Sequence, residues 1–185
     1  MKPKLSILIP STNDRRTFNE RIYYILKWQI ELFSLEDDVE LLFNFEDGTI
    51  GAKRNELVRK AKGEAMAFVD SDDLVCDGYL KHGMDFVNSG MDAASLIGLY
   101  FHNGIYDRPF VHSNQYTHWY TEPHRYVRTV NHLNFIKTDI ARKISYPEKN
   151  FGEDGCYSDD LKASGLIKTE FEIKQALYIY FATSK

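Results

Sequence analysis

Nothing in this sequence of 185 residues is long and apolar enough to cross a bilayer, since no run approaches the ~18–20 residues that a spanning helix needs. Cysteine is nearly absent. The two that occur, Cys76 and Cys156, stand far apart and make neither a disulfide framework nor a paired-thiol site. An excess of positive charge is missing too: 23 basic residues against 27 acidic ones leave −4. That is the wrong sign for coating nucleic acid through its phosphates, although a local basic patch stays open. There is no internal repeat, low-complexity tract or Gly/Ser linker. The start, Met1-Lys2-Pro3-Lys4, is basic, but the apolar run behind it is too short for a signal core and no small-residue cleavage site follows. These absences predict one compact domain, 1–185, in a reduced, cytoplasmic setting, long enough to bury a core without staples.

What is present is alternation. Leu5-Ser6-Ile7-Leu8-Ile9, stopped by Pro10, reads as a buried strand. Behind Phe18, the residues Ile22, Ile25, Leu26, Ile30 and Phe33 recur at helical spacing. Residues 39–45 form the next strand, ended by Glu46-Asp47-Gly48, and 50–62 a basic helix with Gly63 suited to its stop. Ala65-Met66-Ala67-Phe68-Val69 is a third buried strand that runs straight into Asp70-Ser71-Asp72-Asp73, followed by a helix over 77–88 and a strand over 93–101. This order predicts an α/β, Rossmann-like fold: a mainly parallel central sheet with helices on both faces. Ligands then sit outside the carboxyl ends of the strands, where segments 10–14, 46–48 and 70–73 converge. Residues 102–132 read as irregular and hold five of the six histidines, with Tyr106, Tyr116, Trp119, Tyr120, Tyr126, Arg108, Arg125 and Arg128. A helical piece at 138–143, a helix from Gly152-Glu153-Asp154 to a stop at Gly165, and a strand Ala176–Ala182 complete the pattern.

The acidic cluster closing the third strand carries the strongest chemical signal. Three carboxylates within four residues repel one another unless a cation neutralises them, and hard oxygen ligands select Mg²⁺ or Mn²⁺. The plain alternative is a solvated turn or helix cap, but the cluster's place at the ligand edge of the sheet favours a metal and a diphosphate.

With these segments in view, the chain resembles the family 2 glycosyltransferases of the A-type (GT-A) nucleotide-sugar fold. Four ordered matches carry the resemblance: residues 6–13, Ser6-Ile7-Leu8-Ile9-Pro10-Ser11-Thr12-Asn13; Glu46-Asp47-Gly48; Gly51-Ala52-Lys53-Arg54-Asn55 with the run through Ala61-Lys62-Gly63-Glu64 into Asp70-Ser71-Asp72-Asp73; and Gly152-Glu153-Asp154 with Leu161 behind it. It implies a metal-dependent, inverting transferase that moves a sugar from a nucleotide diphosphate, most plausibly a UDP-sugar, to an acceptor hydroxyl. Residues 1–100 would bind the donor and 101–185 would supply the acceptor site and the base. On that pattern Pro10, Ser11, Thr12 and Asn13 form the nucleotide loop, and Asp47 accepts from the base. Lys53, Arg54 and Asn55 lie near the phosphates, Asp70 and Ser71 face the ribose side, and Asp72 with Asp70 holds Mn²⁺ or Mg²⁺, a Lewis acid on the leaving group.

Asp154 would be the general base that a poorly nucleophilic hydroxyl requires, with Glu153 supporting it, and one base opposite the leaving diphosphate gives inversion. The sequence departs from the pattern in its tail, Tyr178-Ile179-Tyr180-Phe181-Ala182-Thr183, which has no histidine for the metal; the third place falls to His132 or to water. Tyr157-Ser158-Asp159-Asp160 is acidic where a basic residue is usual. Trp119 and Tyr120 would stack on the acceptor, and Arg125 and Arg128 would meet phosphate. The stretch Asn131-His132-Leu133-Asn134-Phe135-Ile136-Lys137 is similar to one in small viral and phage-type transferases, which points to a hydroxymethylated DNA base; a glycan or lipid-linked sugar is the ordinary alternative.

Two other readings use the same residues. A haloacid-dehalogenase-type phosphatase would make Asp70 a nucleophile, though its Asp pair normally ends the first strand of the core. A nucleotide-sugar binding module without turnover would keep the donor site alone. A nucleotidyltransferase is disfavoured because Pro10-Ser11-Thr12-Asn13 contains no glycine to cradle a triphosphate.

Overall fold

The computed structural model describes residues 2–183; Met1, Ser184 and Lys185, the ends of the expected 1–185 unit, lie outside the described residues. In chain order the elements are β1 (Leu5–Pro10), a 3-10 turn (Asn13–Arg15), α1 (Arg16–Leu32), β2 (Val39–Asn44), α2 (Ile50–Lys60), β3 (Ala65–Phe68), β4 (Leu74–Val75) and α3 (Tyr79–Ser89). Then come β5 (Ala93–Ala94), β6 (Leu96–His102), β7 (Ile105–His112), β8 (Tyr120–Glu122), β9 (Arg125–Arg128), β10 (Ile136–Lys137), α4 (Thr138–Ala141), α5 (Glu153–Ser164), β11 (Glu170–Phe171) and β12 (Ala176–Ala182).

A first sheet runs β11-β5-β10-β3-β1-β2. β1 pairs parallel with β2 and β3, which brings the carboxyl ends of all three to one edge, while β10 is antiparallel to β3 and β5. Strand periodicity sends alternate side chains to opposite faces, and both faces are covered. Leu5, Ile7, Ile9, Ala65, Ala67 and Val69 pack with Ile22, Leu26 and Ile30 of α1 and Leu80 and Met84 of α3. Leu8, Met66 and Phe68 pack with Leu57 and Val58 of α2, Ile140 of α4, and Tyr157 and Leu161 of α5. A run buried on both faces reads as continuous apolar sequence, and this is why β1 and β3 were legible; β2, at the edge, is half-buried along its middle and shows as the apolar run Leu41-Leu42-Phe43.

A second sheet, β4-β12-β6-β7-β9-β8, was not anticipated. The expected strand over 93–101 is two strands: Ala93 and Ala94 stay in the first sheet, and from Leu96 the chain joins the second. At the break Ser95 ties the chain to β11's end, its N–H donating to the Phe171 carbonyl and its Oγ accepting from the Ile173 N–H. Segment 102–132 is likewise not irregular, because it contains β7, β8 and β9. Asn103-Gly104, both at positive φ (51° and 79°), make the tight hairpin that returns β6 into β7, a recognised two-residue turn signal hidden among histidines and tyrosines. Gly63 is not a helix stop. α2 ends at Lys60 with Ala61 as its cap, and Gly63 lets two backbones touch: a Cβ there would lie 2.7 Å from both the Ser6 nitrogen and the Ala65 oxygen. Gly165 does cap α5 in the left-handed region, as expected.

Candidate active site

The carboxyl end of β3 meets the first turns of α2 and α5 at a buried charge chain. Arg54 is 3% exposed. Its Nη2 donates to Asp70 Oδ1 at 2.9 Å and Oδ2 at 3.2 Å, and its Nε donates to Glu153 Oε1 at 3.3 Å. The guanidinium lies over the Phe68 ring, 5.0 Å from its centroid, with Tyr146 behind it at 6.0 Å. Burial alone would raise the Asp70 pKa, but Arg54 and then His132 outweigh it and hold the carboxyl well below the usual range. His132 is buried, with Nε2 3.5 Å from Asp70 Oδ2, and neither ring nitrogen has a hydrogen-bond partner.

The other two aspartates of the turn go elsewhere. Asp72 points outward and pairs with Arg15 at 2.9 Å, both about half-exposed. Asp73 is buried, accepting from the Tyr178 hydroxyl at 2.9 Å and from the Phe181 N–H at 2.9 Å. Burial, followed by repulsion from Asp70, raises the Asp73 pKa. Asp73 therefore anchors β12 against the turn, a role no sequence signal distinguishes from that of its neighbours.

Two cavities open on either side of this chain. One, about 290 Å³, is lined by Ser11, Thr12, Arg15, Gly48, Lys53 and Glu153 at the carboxyl ends of β1 and β2. The other, about 230 Å³, is walled by Tyr100, Tyr126, Tyr180 and Trp119, with Arg128 and Asp154 on it. Consecutive residues on a helix point ~100° apart, so Glu153 and Asp154 open α5 facing different cavities. The tyrosine wall crosses three strands: Tyr100 stacks on Tyr180 at 5.4 Å and meets Tyr126 edge-on at 5.0 Å. Arg128 sits over both Trp119 (4.9 Å) and Tyr126 (5.4 Å). Trp119 is fixed to α5, its Nε1 donating to Ser158 Oγ at 3.2 Å, and to Thr129 Oγ1 at 3.0 Å. The Asp154 charge is felt at Arg54, Arg128, Tyr146 and Tyr180.

The expected residues thus fall into groups. Pro10, Ser11, Thr12 and Lys53 line the first cavity together, with Asn13 exposed beside them in the 3-10 turn and Asp47 exposed in the bend after β2. Lys53, however, is buried, its Nζ donating to the Ser11 carbonyl at 2.6 Å, so it shapes the loop more than it reaches outward. Arg54 is committed to Asp70 and Glu153. Asn55 turns away and pairs both ways with the Tyr146 backbone at 2.8 Å. Ser71 is buried, its Oγ 3.4 Å from Arg15. Trp119 and Arg128 share the second cavity with Asp154, whereas Tyr120 and Arg125 do not line it. Arg125 is spent on Glu122 at 2.6 Å.

Asp70, Asp72 and His132 do not assemble as a ligand trio: among the described residues no three His, Cys, Asp or Glu side chains are grouped to hold an ion. The reason is the separate pairing of Asp70 with Arg54 and Asp72 with Arg15. Arg15, Tyr100 and Tyr180 were missed; strand alternation placing Tyr180 on the same face as Tyr178 was the available clue.

A family model described as glycosyl transferase family 2 matches residues 6–146. No curated protein matches the sequence itself. Among solved structures, S. aureus TarS 1-349 in complex with UDP aligns with a TM-score of 0.68 at 17% identity, covering 97% of this chain and 60% of that one. The same protein in complex with UDP-GlcNAc gives 0.66 at 18% identity, covering 98% and 59%. Against the S. aureus TarS structure of greater length the score is 0.63 at 18% identity, and this chain spans only 37% of it. At these identities the likeness establishes the fold.

Proposed function

From the premise that the chain belongs to glycosyl transferase family 2, we propose that it moves a sugar from a nucleoside diphosphate to an acceptor hydroxyl, with inversion and with Asp154 as the base. The observation that supports this most is the Glu153-Asp154 step. Glu153 looks into the cavity at the strand ends, tied through Arg54 to Asp70, and Asp154 looks into the aromatic cavity next door. The donor nucleotide belongs in the first cavity, and UDP is the natural candidate given the UDP and UDP-GlcNAc bound by the aligned TarS structures. The acceptor belongs in the second.

A divalent ion fits this donor set when it arrives with the donor. Asp72 is held only by a half-exposed pair with Arg15, of a kind worth ~0–1 kcal/mol, so its carboxylate is open to exchange, while Asp70 stays with Arg54. Mg²⁺ or Mn²⁺ commonly uses one or two carboxylates and completes its shell from phosphates and water. Bound there it would supply Lewis acidity to the leaving diphosphate. The protein's own part is plain. Arg54 keeps Asp70 ionised, Trp119 and Ser158 hold α5 in place, and Asp154 takes the proton of the acceptor hydroxyl as the new bond forms.

The acceptor is better read as a sugar than as a base in DNA. The cavity offers tyrosine and tryptophan faces, while Arg108 and Arg125 beside it are neutralised by Asp107 and Glu122. Arg128 is left without a paired carboxylate among the described residues but lies over Trp119 and Tyr126, and one such cation is a poor track for a phosphate backbone. The test is Asp154→Asn, assayed by transfer to glycan acceptors and by UDP-induced thermal shift with Mn²⁺. Transfer should fall ~10²–10⁴-fold while the shift, which reports binding to the folded state, is kept. A variant that loses the shift as well, or keeps its activity, overturns the assignment of the base.

A further inference from the structure

α1 is apolar on two sides. Its inner stripe, with Ile22, Leu26 and Ile30, is buried in the core. A second stripe at i, i+4 and i+8 faces out: Tyr24 is 67% exposed, Trp28 48% and Leu32 54%. Exposed Phe18 lies to one side of it. To the other, Tyr23 meets Tyr24 at 5.5 Å and Phe43 at 6.4 Å, and Phe43 stacks on Phe45 at 5.6 Å. Between α1 and β2, the edge strand of the first sheet, Tyr23, Tyr24, Phe43 and Phe45 line a groove of about 250 Å³. Taking ~200 Å² for a whole aromatic side chain, the belt exposes roughly 500–600 Å² of apolar surface. That is the top of the range for the largest patch on a monomer, and with a polar rim it approaches the ~800 Å² each partner of a stable dimer buries.

The charges beside the stripe say what covers it. On one flank of Tyr24 and Trp28 stand Lys27 and Glu31, joined within the helix only by a long 3.8 Å contact. In an antiparallel pair of α1 helices with the two-fold axis at Trp28, Tyr24 comes level with Leu32 of the second copy, and Trp28 meets its own mate. Lys27 then lies about 3 Å along the axis from Glu31 of the second copy, from the 1.5 Å rise per residue, and the same contact repeats on the other side of the axis. The surface is therefore complementary to itself in both shape and sign. A lipid surface is the poorer match: Arg16 and Lys27 are balanced by Glu20 and Glu31, and Glu36-Asp37-Asp38 follows the helix, so an anionic bilayer gains little there.

We propose that α1 is a homodimer interface, packed antiparallel on α1 of a second copy through Tyr24, Trp28 and Leu32. The inference goes beyond the proposed activity and does not depend on it. Light scattering after size exclusion, from about 1 to 100 µM where association is set by mass action, should give twice the 21.5 kDa chain mass. Trp28→Glu should raise the dimer dissociation constant at least ~100-fold, since a central Trp of the hot-spot kind is lost on both sides of the axis. Lys27→Glu should weaken the dimer as well, and Lys27→Glu with Glu31→Lys should restore it. Circular dichroism and the urea midpoint show whether each variant is folded. A wild-type chain that is monomeric throughout overturns the proposal, as does a folded Trp28→Glu variant that still dimerises, or a monomer that instead sediments with vesicles of phosphatidylcholine and phosphatidylserine.

Discussion

Replacing Arg54 with Met tests the charge chain at the heart of the site. Met keeps an unbranched apolar stem against Phe68 and Tyr146 but removes the bonds to Asp70 and Glu153. Two carboxylates are left, one 7% and the other 22% exposed. Stripping one partner from a buried ion pair costs ~3–5 kcal/mol. Asp70's residual contact with water sets the expectation near the lower end, about 3 kcal/mol, against a total stability of roughly 5–15. Urea unfolding at about pH 7.5 measures it.

The sign of the pH dependence makes the test sharper. In the wild type the folded Asp70 has a depressed pKa, so its contribution is present above the unfolded value of 3.8 and fades as pH falls through the folded one. Without the guanidinium, burial pushes the same carboxyl upward, and the folded variant takes up a proton before the unfolded chain does. The gap between wild type and variant should then narrow to about 1–2 kcal/mol by about pH 5. If Arg54→Met unfolds outright, Glu153→Gln and a double-mutant cycle give the coupling, expected at ≥ ~1 kcal/mol for groups in one network. A loss below ~1 kcal/mol, or a gap that does not move with pH, refutes the idea that Arg54 is the counter-charge of both acids.

Three smaller predictions concern the frame around the site. Asp92 accepts from Lys137 Nζ and from the Lys168 and Thr169 N–H groups; burial opposes these bonds but does not prevent them from lowering its pKa from 3.8 to about 2. Asp92→Asn should cost about 1–2 kcal/mol in urea unfolding at neutral pH after allowance for partial exposure, and the difference should vanish as pH falls from about 4 toward 2. His112 is buried, and that burial brings its pKa from 6.5 down to about 3 in spite of its bond to Asn134. Stability should therefore drop by up to ~1.4 kcal/mol per pH unit below about 6.5, with a visibly flatter profile in His112→Gln. Gly51→Ala would put a Cβ 1.9 Å from the Pro147 oxygen. Because α2 leans there on the loop that leads into α5, we expect about 3 kcal/mol lost and transfer activity reduced along with it.

β1, β2 and β3 of the first sheet and the helices beside them were legible because their apolar residues recur on a period matching their geometry: Leu8, Met66 and Phe68 look to one face, Ile7 and Ala67 to the other; the two-residue strands β10 and β11 are too short to carry such a pattern. The second sheet was not legible. β7 carries an exposed amino-terminal half, a proline at position 109 and alternate polar residues, so half of it resembles loop sequence, and only Asn103-Gly104 marks the turn. The candidate site was legible as a set of acidic motifs but not as pairings. Position in sequence says that Lys53, Arg54 and Asn55 open α2 near the ligand edge. It does not say that successive helical residues point ~100° apart, sending Lys53 to the Ser11 carbonyl, Arg54 to two acids and Asn55 to the Tyr146 backbone. Glu153 and Asp154 diverge for the same reason.

Depth explains how one turn holds three aspartates without flying apart. Asp73, the deepest, has its pKa raised by burial and then by Asp70, and is capped by Tyr178 and the Phe181 N–H. Asp70, intermediate, is kept ionised by Arg54, and that same arginine carries the charge chain across to the first turn of α5. Asp72, outermost, has only Arg15, a contact that water already weakens. Repulsion is thus met by three different means, and only the last leaves a carboxylate free to exchange its partner. On the proposed function, a cation arriving with the donor would need such a residue: a carboxylate held loosely enough to exchange its partner, beside one held tightly enough to keep its charge.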